Sequence, residues 1–189
     1  LVAKYLYLKA LAFARLNERD SLRSTLNNIL ASFPASEPAS NARIMIDFMD
    51  NKYPEIKEKA EEKTAAEIYV YSPGENHYTA IVIPASANMN QLIFNLINFN
   101  LDQFPKLSLN VQGENLWKDV QIVTIKIFSG SSDALAYLGH LLKDPGIFRD
   151  VNAASSYLFV ISETNLAALR KDMNIDRYLR FYTNHYPLQ

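Results

Sequence analysis

Apolar side chains recur three and four positions apart through the first fifty residues, the period of helices buried along one face. Residues 4–16 (KYLYLKALAFARL) carry Ala10, Phe13 and Ala14 at that spacing. A polar stretch, Asn17 to Asp20, follows, with Asp20 placed to cap a second helix over residues 21–33. That helix aligns Leu22, Leu26, Ile29 and Leu30, and Pro34 stops it. A third helix restarts within SEPASNARIMIDFM, with Ala42, Met45, Ile46 and Met49 as its apolar positions. Then the pattern breaks. Over residues 51–65, Lys52, Lys57, Lys59 and Lys63 alternate with Glu55, Glu58, Glu61 and Glu62, which predicts a solvated, charged connector. The predicted organisation is a helical end over 1–50, the connector over 51–65 and a second domain over 66–189.

In the second domain the period drops to two. A short β-like run at 66–71 ends in the turn signal Ser72-Pro73-Gly74, and YTAIVIPA (78–85) is a β-branched strand. Residues 88–104 read as an amphipathic helix, with Leu92, Leu96, Phe99 and Phe104 apolar and Asn88 or Asn90 as cap. Residues 107–116 alternate, and so do 119–128, where Val123, Ile125 and Ile127 face away from Thr124 and Lys126. Next come a helix over 131–148 capped by Ser131 or Ser132, a strand over 156–162 and a last helix over 165–186. From residue 78 the order is β-α-β-β-α-β-α, which predicts an α+β fold: a ferredoxin-like βαββαβ domain with one extra C-terminal helix. Both inner helices would cover one sheet face. The other, carrying Ile122 and Phe128 beside Thr124, needs a cover too, from the last helix, the 66–71 run, the helical end or a second copy of the chain.

Composition narrows the chemistry. Lys+Arg number 19 against 20 Asp+Glu, and from His77 onward the two classes balance one for one, so no cationic footprint for nucleic acid exists. No apolar run reaches the roughly 18 residues of a membrane span. Zero Cys removes thiol nucleophiles, disulfides and thiolate metal sites. His77, His140 and His185 have no partner at metal-ligand spacing, and Asp144, Asp150, Asp172 and Asp176 read as caps or solvated charges. With five Gly and no phosphate-cradling or G-x-S-x-G motif, the expectation is a non-enzyme without metal or cofactor. The loop PASANMNQ lacks the Arg an acylphosphatase-like site needs. The alternative in a different class is a ferredoxin-like dimer sensing a small ligand through loop residues such as Asn88 and Asn90.

One segment stands out as a candidate interaction surface. In IDRYLRFYTNHYPLQ, Tyr178, Phe181, Tyr182 and Tyr186 form an aromatic stripe with Arg177 and Arg180 beside it. Such a stripe either docks onto its own domain or meets a partner, since Tyr and Arg are enriched in interfaces.

Two resemblances are carried by particular residues. Ala10 with Phe13, Leu22 where Ala is usual, and the closing Pro34 resemble a tetratricopeptide repeat, so the first fifty residues look like one and a half such repeats. About three repeats are needed for a stable array. Because Leu1 is already in helical pattern with no basic leader ahead of it, the expectation is a piece of a longer protein with further repeats upstream. Further on, His77-Tyr78 before the first strand, Asn88 opening a helix that ends in Phe99-Asn100, Phe128, Ala134 with Tyr137, and the phrase FVISETN form a dispersed pattern. It resembles the C-terminal domain of the tetratricopeptide lipoproteins of the Bacteroidota type IX secretion and gliding motility apparatus. That resemblance implies a scaffold without enzymatic activity, held at the periplasmic face of the outer membrane by an upstream lipidated Cys. Its partners would be other envelope proteins.

Overall fold

The computed structural model describes residues 1–149, 151 and 155–186. Asp150 and the side chain of Ile127, both named above, lie outside the described residues. The chain is α+β and divides into two units, Leu1–Lys63 and Thr64–Gln189.

The first unit is built from helices α1 (Val2–Arg15), α2 (Arg19–Ser32) and α3 (Glu37–Lys52). Ala10, Ala39 and Ala42 are fully buried with Leu26 and Ile29, so the helices meet where one partner is only a methyl group. Asn17 takes a left-handed conformation (φ 57°) that ends α1. α2 starts at Arg19, earlier than Asp20 as a cap would allow; Asp20 lies in its first turn, where a carboxylate still favours the helix dipole. Ser36 caps α3 by accepting from the Ala39 N–H at 3.3 Å, and Pro38 occupies a first-turn position that needs no N–H. Inside the unit, the guanidinium of Arg23 pairs with Asp50 while only 8 % exposed. Lys57 approaches the other Asp50 oxygen at 3.8 Å.

The connector is not a spacer. Residues Pro54–Ile68 form one helix, α4, on which Ile56 and Ala65 are buried. The division between the units falls within it. The strand expected at 66–71 is therefore absent: Thr64-Ala65-Ala66-Glu67 favours helix over a six-residue alternation.

In the second unit, β1 (His77–Pro84), β2 (Val111–Trp117), β3 (Val120–Phe128) and β4 (Tyr157–Ser162) form an antiparallel sheet in the order β2-β3-β1-β4. β1 and β3 are central, and the polar β2 is at an edge. Register fixes what each face carries. Gly113, Val123, Ile81 and Leu158 share one row, and Gln112, Thr124, Ala80 and Phe159 the next, on the opposite face. Helices α5 (Met89–Gln103) and α6 (Ser131–Leu141) cover the first face. Thr79 donates to the Ala134 carbonyl at 3.1 Å. α5 lies so close to β2 that a Cβ on Gly113 would stand 2.7 Å from Met89 Sδ. The second face is covered by the C-terminal segment, where the ring of Phe159 sits 4.9 Å from that of Tyr178.

Local chemistry moves several boundaries. α6 stops at Leu141, and a 3-10 turn spans Pro145–Phe148, because Pro145 disfavours helix at Asp144. Gly130, not Ser131 or Ser132, is the residue before α6, and Ser131 is buried with its N–H on the Pro73 carbonyl. β2 begins at Val111, leaving 107–110 outside the strand. The long last helix is two helices, α7 (Glu163–Asp172) and α8 (Ile175–His185). Met173 breaks them at φ 53°, and Asn174 caps α8 through the Arg177 N–H at 3.0 Å.

Replacing Asp50 with Ala should leave the Arg23 charge buried without a partner. Urea unfolding followed by far-UV circular dichroism should show a loss of about 3–5 kcal/mol. A loss within experimental scatter would mean Arg23 reaches solvent in the folded unit.

Candidate functional site

The aromatic stripe of α8 has an amphipathic period, so one face must find an apolar environment. It finds it inside the domain. Tyr178, Phe181, Tyr182 and Tyr186 are all buried, Tyr178 completely. Tyr178 meets Tyr69 edge-on at 5.0 Å, and Tyr186 meets Tyr71 at 5.2 Å. Of the two fates open to this stripe, the four rings take the docked one and are core, while Arg180 is partly exposed and the Arg177 side chain only 20 % exposed.

Polar side chains hold this core in register. The Tyr69 hydroxyl donates to Asp172 at 2.8 Å, and Asp172 also takes the guanidinium of Arg177. Expected as a solvated charge, Asp172 is instead a buried acceptor for two donors. Asn165 is fully buried, accepting from the Val70 N–H at 2.9 Å and donating to the Val70 carbonyl at 2.8 Å. One side chain thus pins residue 70 as a neighbouring strand would. His77, the buried first residue of β1, has Nδ1 2.7 Å from the Glu75 carbonyl. That oxygen can only accept, so Nδ1 carries a proton toward it, and Nε2 lies 3.1 Å from the Tyr186 hydroxyl. Only one sequence signal pointed here: the Ser162-x-x-Asn165 spacing of a helix cap, realised as Asn165 N–H to Ser162 Oγ at 3.2 Å.

Two of the cavities among the described residues open on the second unit. One, of about 510 Å³, lies between α7 and the part of the sheet that α8 leaves open. Tyr78, Glu114, Lys126, Glu163 and Arg170 line it. Arg170 pairs with Glu114, and Lys126 Nζ lies 5.9 Å from the Tyr78 ring centre. Burial first, then the neighbouring Glu163, pushes the Tyr78 hydroxyl pKa up. The cavity thus carries two acids, Glu114 and Glu163, and two bases, Lys126 and Arg170. The other cavity, of about 490 Å³, is lined mainly by Phe104, Leu107, Leu109, Phe128 and Tyr137, with His140 at its margin. Neither contains Asn88 or Asn90. Asn88 caps α5 by accepting from the Gln91 N–H at 3.1 Å. Among the described residues no three His, Asp or Glu are grouped as metal ligands.

On the first unit several exposed side chains are apolar. Tyr5 and Leu8 on α1 are 69 % and 65 % exposed, and Ile44 and Phe48 on α3 are 68 % and 59 %. Each pair sits three or four residues apart, on a helix whose other side is already buried. Helices apolar on two sides are ordinarily covered on both.

Burial pushes up the pKa of Tyr69, Tyr137, Tyr178 and Tyr182, and that of Tyr186 to about 12. Each is raised above the unfolded value of 10.0, so above that pH the unfolded state has released protons that the folded state retains. Stability is full below pH 10 and should fall as pH climbs through 12 and beyond. In an alkaline titration at 295 nm, the exposed tyrosines should ionise first and the buried set only together with loss of helix signal. All eleven ionising smoothly near pH 10 with helix retained would contradict the packing of α8.

Comparison of the chain with protein-family models, with curated proteins and with solved structures finds no match.

Proposed function

We propose that the chain is a non-catalytic protein–protein interaction module of a cell-envelope complex. The observation that carries this is the pair of exposed apolar rows, Tyr5 with Leu8 and Ile44 with Phe48, on a unit made only of helices. On this reading, α1 to α3 are the end of a tetratricopeptide array. Leu6, Ala10, Phe13, Leu22, Leu26 and Ile29, which cluster together, supply its internal packing. The second unit is read as a ferredoxin-like domain with an appended pair of helices, supported by the strand order β2-β3-β1-β4 with α5 and α6 on one face. Support for type IX secretion and gliding motility, and a position at the periplasmic face of the outer membrane within a longer lipoprotein, rest on the sequence resemblance alone.

A second reading, small-ligand sensing, is favoured by the charged cavity beside Tyr78 and Arg170. Its dimeric form has less behind it, because α7 and α8 already cover the apolar part of the sheet face that a second copy would have filled.

A photoreactive amino acid at Leu8 or Phe48, expressed in cells that make the protein, should give discrete envelope-protein adducts. The same group at Glu58, an exposed polar position on α4, should give none. If all three positions stay free of adducts, and a metabolite raises the melting temperature of the chain but not of Arg170→Ala, the sensor replaces the interaction module.

A further inference from the structure

We infer that the cavity between α7 and the sheet binds a small zwitterion, with Lys126 taking its carboxylate and Glu163 its ammonium group. This deepens the small-ligand reading above and rests on it.

Two of the four charges in this cavity of about 510 Å³ are already matched, and two are not. Arg170 and Glu114 hold each other, joining α7 to the edge strand β2. Lys126 and Glu163 form no ion pair with each other or with any other described residue. Lys126 is only partly exposed, and its one charge contact is the Tyr78 ring, 5.9 Å from Nζ. Its ammonium group keeps three N–H donors without a carboxylate. Glu163 stands near the Tyr78 hydroxyl, whose pKa burial raises first and this carboxylate next. All the lining residues belong to the second unit.

The backbone is irregular where Lys126 meets the cavity. His77 pairs with Phe128 but Thr79 pairs with Ile125, so two residues of β3 stand against Tyr78 alone, Lys126 the first of them. Beyond that point the ladder runs regularly from Thr79 to Pro84. A bulge of this kind re-aims a side chain, and here it falls between the two central strands rather than at an edge of the sheet. Glu163 is placed by α7, of which it is the first residue, and Arg170 follows two turns later, about 10 Å along the axis. Leu166 and Ala167 form the apolar wall between them. The cavity therefore has an open acid at one end of α7, a closed ion pair at the other and an open base on the sheet.

Charge selects the ligand class. A dianion would face two carboxylates, and a polyamine would face two bases. An uncharged ligand would cover Lys126 and Glu163 and leave both without a counter-charge, which is costly. A molecule carrying one charge of each sign satisfies both with charge-assisted hydrogen bonds, the stronger kind. Its short carbon body would lie against Leu166 and Ala167.

The test uses the dipeptide alanylglycine, its N-acetyl form, which has lost the ammonium charge, and its C-terminal amide, which has lost the carboxylate. Titration of the whole chain followed by amide nitrogen–proton NMR reads affinity and place together. The free dipeptide should shift amides around Tyr78, Lys126 and α7, and each blocked form should bind about tenfold more weakly or worse. In Lys126→Gln the dipeptide and its amide should bind alike, whereas Lys126→Arg should keep the difference. In Glu163→Gln the dipeptide and its acetyl form should bind alike. The helix signal should be unchanged in all three variants. The proposal is overturned by equal binding of the three probes, by discrimination that survives Lys126→Gln and Glu163→Gln, or by shifts confined to other parts of the chain. So it is by no shift up to about 10 mM dipeptide, where a millimolar site would be nearly saturated. A metabolite of another charge type that raises the melting temperature of the wild type but not of Arg170→Ala, with no dipeptide binding, would sink the zwitterion and leave the small-ligand reading standing. If neither the dipeptide nor any metabolite acts, both fall.

Discussion

The contact between Phe159 on β4 and Tyr178 on α8, with ring centres 4.9 Å apart, is where the second unit becomes self-sufficient. A four-stranded sheet whose central strand is buried on both faces cannot leave one face to water. α5 and α6 satisfy one side, and the other would drive the chain to pair with a copy of itself. α8 removes that drive with a row of aromatic rings. Once it is seated, other groups must follow. Tyr69 closes on Tyr178 from the end of α4, and Asp172 must accept both the Tyr69 hydroxyl and Arg177, because a buried carboxylate without donors is costly. Asn165 then satisfies the backbone of Val70 as the chain crosses toward β1. The polar network follows from covering the sheet.

The first unit solves a smaller problem by different means. It has few large side chains to bury, and it relies on close approach at alanines and on the Arg23–Asp50 pair in an otherwise apolar interior. Such a pair adds little net stability relative to apolar residues, yet it penalises any arrangement that separates its members. It therefore specifies how α2 and α3 meet more than how strongly they hold. The surplus apolar surface of this unit stays outside, on α1 and α3.

What was legible in the sequence was whatever local period decides. All four sheet strands, α5 and the first three helices sit within a few residues of their expected places, because each buries one face at one period. What failed depended on single residues acting against a period or on contacts between distant segments. Met173 interrupts an apolar pattern that reads as continuous from 165 to 186, and only the left-handed turn, with Asn174 beyond it, splits it. The run at 66–71 has a strand-like composition, but Ala65 and Tyr69 lie four apart on the core side of α4 and its continuation. Beyond the Ser162-x-x-Asn165 cap spacing, nothing local marked Asn165 or Asp172 for burial. Their partners lie 95 and 103 residues away, and an Asn or Asp destined for burial looks like any other until the backbone it serves is in place.

The sharpest lesson concerns two stripes that look alike. α8 and α1 both carry large apolar residues at three- and four-residue spacing with basic neighbours, and the sequence offered α8 as the interaction surface. Their fates differ because of what surrounds each. The arginine beside the α8 stripe has a buried carboxylate waiting five residues earlier, and the stripe has the apolar face of a sheet to cover. The chain thus provides both halves of that interface. Around α1 the described residues bury Ala10 and leave Leu8 exposed, and Lys4 lies near the solvent-exposed Glu37. An amphipathic helix whose charges already have internal counterparts belongs to its own fold.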